Sequence, residues 1–252
     1  MMKIVNLTNQ YLPGSTEGYD GKMRDHWPAE PINPQYDILD PVHIEWLYRI
    51  MLNTGMRVLV PDFEGNSRSD RPDLNAWERW DRTSSEQSLP LYSAASSYID
   101  MAISRYNAER NLSSNFFLWG FYGFQFSGRR VALGTQTRND YQAQNAQEEV
   151  VTDNFTALFP TLYLKDRAEL RNGVFENTCI NTRYALNMIR QERPVMPCIK
   201  EGLMSEKDFQ YYLDMMQSII EPTGFCYWDS YSAWRSGWGM DKLQVLESLK
   251  RQ

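Results

Sequence analysis

Val58-Leu59-Val60-Pro61-Asp62-Phe63-Glu64-Gly65-Asn66 is the stretch on which the reading of this chain turns. Three consecutive aliphatic residues mark a strand covered on both faces, the pattern of a central strand in a parallel sheet. Side chains two apart on an extended backbone leave it on the same side, so Asp62 and Glu64 project together. They do so where Gly65-Asn66 turns the strand into a loop. In barrels and open α/β sheets the C-terminal ends of the strands carry the chemistry. Two carboxylates there form a candidate acid–base pair. The plainer alternative is that one caps the turn and the other is solvated.

Outward from this strand, short apolar runs alternate with longer helical patterns. Strands are expected at Met2–Leu7, Arg57–Asp62, Asn115–Tyr122, Ala157–Leu164, Pro194–Ile199 and Gly224–Trp228, with helices at about 41–54, 90–110, 166–191, 205–220 and 239–250. The helix after Met204 has the clearest signature. Ser205 can cap it, with Asp208 three residues on, and Phe209, Leu213, Met216 and Ile220 recur at spacings of three and four to give one apolar face.

Strand–helix alternation predicts an α/β fold with a parallel sheet, most simply a (β/α) TIM-type barrel. Six strands are legible where the standard barrel has eight, so a reduced or distorted barrel is expected, formed by a single domain over residues 1–252. Residues 1–40 read as an irregular N-terminal arm. The polar stretches 8–40, 65–89 and 123–150 read as long loops. Six strands leave open sheet edges, to be covered by that arm, by a partner chain or by oligomer formation.

Composition narrows the function. Of 252 residues, 42% are hydrophobic and 13% aromatic, enough for a sizeable core. The formal net charge is −6 with a pI near 5.1, and no basic run occurs, so no nucleic-acid partner is expected. No segment approaches the ~20 apolar residues that span a bilayer, and the start has no signal-peptide pattern; no membrane partner is expected, and the compartment is not specified by the sequence. Cys179, Cys198 and Cys226 stand apart without a CxxC pair, which argues against a disulfide framework and a zinc site. Two histidines, His26 and His43, are little material for a metal centre or a Ser-His-Asp triad. Neither GxSxG, GxxxxGK[ST] nor GxGxxG occurs, so neither metal nor cofactor is expected. Carboxylates and tyrosines remain for catalysis.

The later strands also end in unusual residues. "FFLWGFYGFQF" sets Trp119, Phe121, Tyr122 and Phe124 at or beyond a strand end; "TALFPTLYLKD" does so for Tyr163, and "GFCYWDSYSAW" for Tyr227, Trp228 and Asp229. Aromatics at strand spacing are often core. Tyr and Trp, however, combine an apolar body with a polar tip, which matches the C–H faces and hydroxyl edges of sugar rings. Carboxylates walled by Tyr and Trp suit a polysaccharide cleft.

From about Arg57 onward these residues resemble the animal hyaluronidase family of glycoside hydrolases, secreted barrel enzymes that cut hyaluronan at N-acetylglucosamine. The family's D-x-E is matched by Asp62-Phe63-Glu64. Its W-G-[FY]-Y-x-[FY] segment is matched by Trp119-Gly120-Phe121-Tyr122-Gly123-Phe124, and its [LY]-[YF]-P-S-[IV]-Y-[LM] segment by Leu158-Phe159-Pro160-Thr161-Leu162-Tyr163-Leu164. Its glycine-apolar strand ending in Trp is matched by Gly224-Phe225-Cys226-Tyr227-Trp228. The order is kept, with successive gaps of 60, 41 and 65 residues separating Asp62, Tyr122, Tyr163 and Trp228.

The resemblance implies a retaining, substrate-assisted endo-glycosidase acting on a polysaccharide that contains N-acetylhexosamine. It makes Glu64 the general acid and then the general base, with Asp62 orienting and polarising the N-acetyl group. Tyr122 and Tyr163 would hydrogen-bond around that group and Trp228 would wall its pocket, with Trp119 and Asp229 at the same mouth. A neighbouring carboxylate raises one pKa of such a pair, which suits proton donation to a leaving group. The chain departs from the family at Gly65-Asn66-Ser67-Arg68, where the family continues with Glu, Trp and Arg. It also lacks the family's disulfide cysteines and is N-terminally short. The short N-terminus and rebuilt loops favour a second class, a catalytically inactive glycan-binding or structural protein, for example of a viral or microbial assembly, whereas retention of all five side chains disfavours it. Arg68, Arg71, Arg129 and Arg130 are loop cations for an anionic polymer, or simply solvated surface.

Overall fold

The computed structural model describes residues 3–6, 58–60, 85–114, 116–121, 127–164, 167–189, 193–199 and 205–227. Their elements run β1 (Lys3–Asn6), β2 (Val58–Leu59), α1 (Ser85–Glu109), β3 (Leu118–Trp119), α2 (Arg129–Ala132), α3 (Arg138–Thr152), α4 (Arg167–Arg171), α5 (Val174–Ile189), β4 (Cys198–Ile199), α6 (Glu206–Ile220) and β5 (Gly224–Tyr227). Every strand pairing is parallel: β1 with β5, β4 with β5, and β2 with β3. Parallel neighbours need a crossover between them, and the helices between the strands supply it. The helices expected at 41–54 and 239–250 lie outside the described residues, as does most of the arm 1–40.

The chain contacts fall into two compact units. One comprises Met1–Asn9, Tyr122–Ala146 and Ala157–Gln252. Its sheet has the order β1-β5-β4, and the segment expected as the strand Ala157–Leu164 joins β4 and the residues leading into it through parallel bridges Thr161–Cys198 and Leu158–Val195. Helix α6 starts as its sequence dictates. Ser205 is extended, with φ −67° and ψ 160°, and its Oγ accepts the Asp208 N–H. Phe209, Tyr212, Leu213, Met216 and Ile220 are all fully buried. The Tyr212 hydroxyl donates to the Leu162 carbonyl, tying the helix to the sheet segment.

The helix expected over 166–191 is two helices. Gly173 sits at φ +79° between α4 and α5, a conformation that breaks a right-handed helix and suits glycine, and Asn172 Oδ1 accepts the Val174 N–H that opens α5. Gly128 lies so close to α5 that an added Cβ would stand 2.4 Å from the Asn181 Cβ. Its N–H donates to Thr182 Oγ1 at 2.9 Å.

The second unit comprises Gln10–Phe121 and Gln147–Thr156. Here β2 pairs with β3 in the register Val58–Leu118, Leu59–Trp119. Thr156 docks on β3 through three bonds: its hydroxyl accepts the Trp119 N–H and donates to the Phe117 carbonyl, at 2.8 and 2.7 Å. Its own N–H donates to the Trp119 carbonyl.

Two loop expectations are corrected. Residues 123–150 contain α2 and most of α3, and 65–89 includes the first turn of α1. The buried side of α3 is Tyr141, Asn145, Glu148, Val151 and Thr152. Its spacing is helical, but most of the stripe is polar, so apolar periodicity does not reveal it.

Candidate active site

The geometry on which a strand-end site depends is the register of the strands. In the first sheet Thr161 is level with Cys198, and Cys198 with Cys226 and Val5. Tyr163 stands two residues beyond that row. Alternation puts Tyr163 on the same side as Thr161; both are half-buried, whereas Leu162 between them is enclosed. Leu162 N–H donates to the Cys198 carbonyl at 3.0 Å, so the ladder reaches the residue before Tyr163.

In the second unit the odd-numbered residues of the segment share one side of the strand. Phe117, Trp119 and Phe121 are all but fully buried. Phe155 packs edge-on against both Trp119 and Phe121, with ring centroids 5.1 Å away in each case. Phe117 meets Tyr106 at 5.2 Å. Trp119, expected at the mouth of the cleft, is instead a core residue with no exposed surface. Even-numbered positions hold the other side, which Val58, Val60, Leu118 and Gly120 share. Trp119 therefore serves a site only through the backbone it anchors.

Asp62, Glu64, Tyr122, Trp228 and Asp229 lie outside the described residues, as do Arg68, Arg71 and Phe124. Arg129 is neither in a loop nor solvated surface. It forms a two-point ion pair with Glu169, Nε to Oε2 at 3.1 Å and Nη2 to Oε1, linking α2 to α4. The hydrogen bonds that it donates to Glu169 hold the guanidinium pKa above its ordinary value. Arg130 is exposed.

The three cysteines are free and buried. Burial pushes the Cys179 thiol well above its ordinary range, with the Glu176 charge adding to the effect. A thiol held protonated is a poor nucleophile and metal ligand. Among the described residues no group of three or more His, Cys, Asp or Glu side chains could hold a metal ion, and no helix is long and apolar enough to cross a membrane.

No family model and no curated protein matches the chain in sequence. Among solved structures, bee venom hyaluronidase in a monoclinic crystal superposes with a TM-score of 0.52 at 14% identity, covering 82% of this chain and 75% of that one. The fold is TIM-barrel-like. The same venom enzyme in complex with a hyaluronic acid tetramer superposes at 0.48, with 14% identity over 81% of this chain and 71% of that one. Within this TIM-barrel-like fold the β-strands are short and helices dominate among the described residues. The parallel pairing expected from strand–helix alternation is present in both sheets.

Proposed function

We propose that this chain is a hyaluronidase-like retaining endo-glycosidase, a single catalytic barrel over residues 1–252 that cleaves a polysaccharide at N-acetylhexosamine. The observation that carries the reading is the register. Asp62 and Tyr122 each stand three residues past the paired Leu59 and Trp119. Tyr163 and Trp228 each stand two residues past the row of Thr161, Cys198 and Cys226. Within each sheet the two residues picked out by motif follow a paired row by the same number of steps, three in one sheet and two in the other. The TIM-barrel-like fold supports this reading, because that architecture gathers its chemistry at the C-terminal ends of its strands.

In this reading Glu64 protonates the glycosidic oxygen as the acetamido oxygen attacks the anomeric carbon. The leaving sugar departs, and the donor sugar is held as a cyclised oxazolinium. Asp62 faces the acetamido nitrogen and stabilises the positive charge that develops there. Tyr122 and Tyr163 hydrogen-bond the acetamido group against the wall made by Trp228, with Asp229 beyond it. Water, deprotonated by Glu64, then opens the ring with net retention. The acetamido group takes the place of the carboxylate nucleophile of the usual two-carboxylate scheme.

The test is reducing-end release from a panel of glycosaminoglycans, chitin and peptidoglycan by wild type and Glu64→Gln. The amide keeps shape and sugar contacts but holds no transferable proton. Turnover is expected to fall by at least ~10²–10⁴-fold, the usual contribution of positioned acid–base catalysis, with binding retained. Wild-type activity is expected to fall as pH rises through the upper apparent pKa of the carboxylate pair. Binding without turnover in wild type at any pH would replace this reading with that of an inactive glycan-binding protein. Full hydrolysis by Glu64→Gln would overturn the mechanism.

A further inference from the structure

Three Asn-x-Ser/Thr triplets occur in the chain: Asn6-Leu7-Thr8, Asn111-Leu112-Ser113 and Asn154-Phe155-Thr156. Such a triplet is the acceptor for an N-linked oligosaccharide and belongs on an accessible surface. The structure separates the two that it describes in full. Asn154 Nδ2 donates to Ser96 Oγ at 3.3 Å, and Phe155 is buried between Trp119 and Phe121. The Thr156 hydroxyl is engaged twice on β3. Asn154 and Thr156 are half-buried with their side chains hydrogen-bonded, and Phe155 is in the core.

Asn111 is the opposite. It follows the last turn after α1, exposed, at φ 53°, in the left-handed region that asparagine tolerates better than most residues. The Leu112 N–H donates to the Asn107 carbonyl at 2.9 Å, so the turn is held by its backbone. Among the described residues neither the Asn111 side-chain amide nor the Ser113 hydroxyl has a hydrogen-bond partner, and Ser113 is exposed as well. The acceptor nitrogen and the hydroxyl that marks it are both available at one surface turn.

We propose that Asn111 is an N-linked oligosaccharide attachment site, used when the chain is delivered to a compartment that holds the transferase. The co-substrate class is a polyprenyl-diphosphate-linked oligosaccharide. Asn111 Nδ2 forms a bond to C1 of the first sugar as the C1–O bond to diphosphate breaks. The amide gives up one proton, and the polyprenyl diphosphate leaves with the electron pair. Asn111 lies between α1 and β3, hence before the N-terminal end of β3, whereas the proposed chemistry belongs to the C-terminal strand ends. The attachment point is therefore at the other end of β3 from the proposed chemistry, and the inference stands apart from the proposed activity.

The experiment is translation of the full chain, behind a cleavable secretion signal, in the presence of endoplasmic-reticulum membranes. One glycan is expected, removable by a peptide-N-glycosidase that converts Asn111 to aspartate, as peptide mass spectrometry reads directly. It is expected to vanish in Asn111→Gln and in Ser113→Ala, which keeps the left-handed asparagine in place, and to persist in Asn154→Gln. An unmodified chain, a glycan that survives Ser113→Ala, or occupancy of Asn154 or Asn6 in place of Asn111 would overturn the assignment.

Discussion

In the two compact units, a helix's apolar stripe and a hydrogen-bonded strand edge can be compared as ways of closing an interior. In the unit of β1, β5 and β4, helix α6 turns Phe209, Leu213, Met216 and Ile220 inward, and Phe175 of α5 meets the Tyr212 ring with centroids 4.7 Å apart. In the unit of β2 and β3, large rings are present too, and side-chain hydrogen bonds stitch the backbone between them, as Thr182 and Tyr212 do at Gly128 and Leu162 in the first unit. Ser96 Oγ on α1 donates to the Val151 carbonyl at 2.9 Å, Asn154 reaches Ser96, and Thr156 saturates the edge of β3. Apolar packing is graded, since its loss scales with the volume removed. A buried hydrogen-bonded link is closer to all-or-none, because losing one partner leaves the other desolvated and unpaired.

The largest effect in this contrast is expected at Leu213→Ala. It should lower stability by about 2–5 kcal/mol, the range for a buried leucine truncated to alanine, read from chemical denaturation. Leu213→Met should be mild, because volume is conserved. If Leu213→Met were as damaging as Leu213→Ala, the stripe of α6 would not be graded.

Thr156→Val comes next. The shape is kept, but the Trp119 N–H and the Phe117 carbonyl both lose their partner. About 1–3 kcal/mol is expected, the penalty for a buried polar group left unsatisfied. Thr156→Ser should recover most of it. A valine variant as stable as wild type would make the ring cluster of Trp119, Phe121 and Phe155 sufficient alone, and the contrast between stripe and edge would fail.

The smallest effect concerns Asp100 on α1. Partial burial raises its carboxyl pKa above the ordinary value, so the folded state favours the protonated form more than the unfolded state does. Above the folded pKa the ionised group works against folding. Below the unfolded pKa both states are protonated and the term vanishes. Asp100→Asn is therefore expected to raise the melting temperature slightly at neutral pH, with the gain fading on acidification through the carboxylate range. A gain that persists at low pH would assign the effect to something other than charge.

The same contrast explains what the sequence makes legible. Helix α6 announces itself by its cap and its apolar stripe, and the structure reproduces both. Each expected strand has described residues in parallel pairing at or inside its predicted span, because aliphatic and aromatic runs mark strands buried on both faces. Helix α3 is hidden because its inner stripe is chiefly Tyr, Asn, Glu and Thr, residue types that an apolar-periodicity reading does not count. The break between α4 and α5 is visible in Asn172-Gly173 only once the left-handed φ is known. For the site, alternation along β3 decides what motif matching does not. Trp119 and Tyr122 belong to one segment, yet Trp119 falls on the side of Phe117 and Phe121. The other candidates are carried by motif and register rather than by described side-chain geometry.

The pairing of β1 with β5 bears on how the chain is made. Lys3 is level with Gly224, a partner 221 residues later. A ribosome adding ~5–20 residues per second completes that interval in roughly 10–45 s. Throughout it the first strand has no described neighbour to pair with, and contacts of such long range are slow to form even in a finished chain. An apolar strand waiting that long is an opportunity for the wrong partner. Here the waiting strand is brief, and Lys3 and Asn6 bracket its two aliphatic residues. Those two polar residues make the segment a poorer template for a wrong partner than an all-aliphatic run.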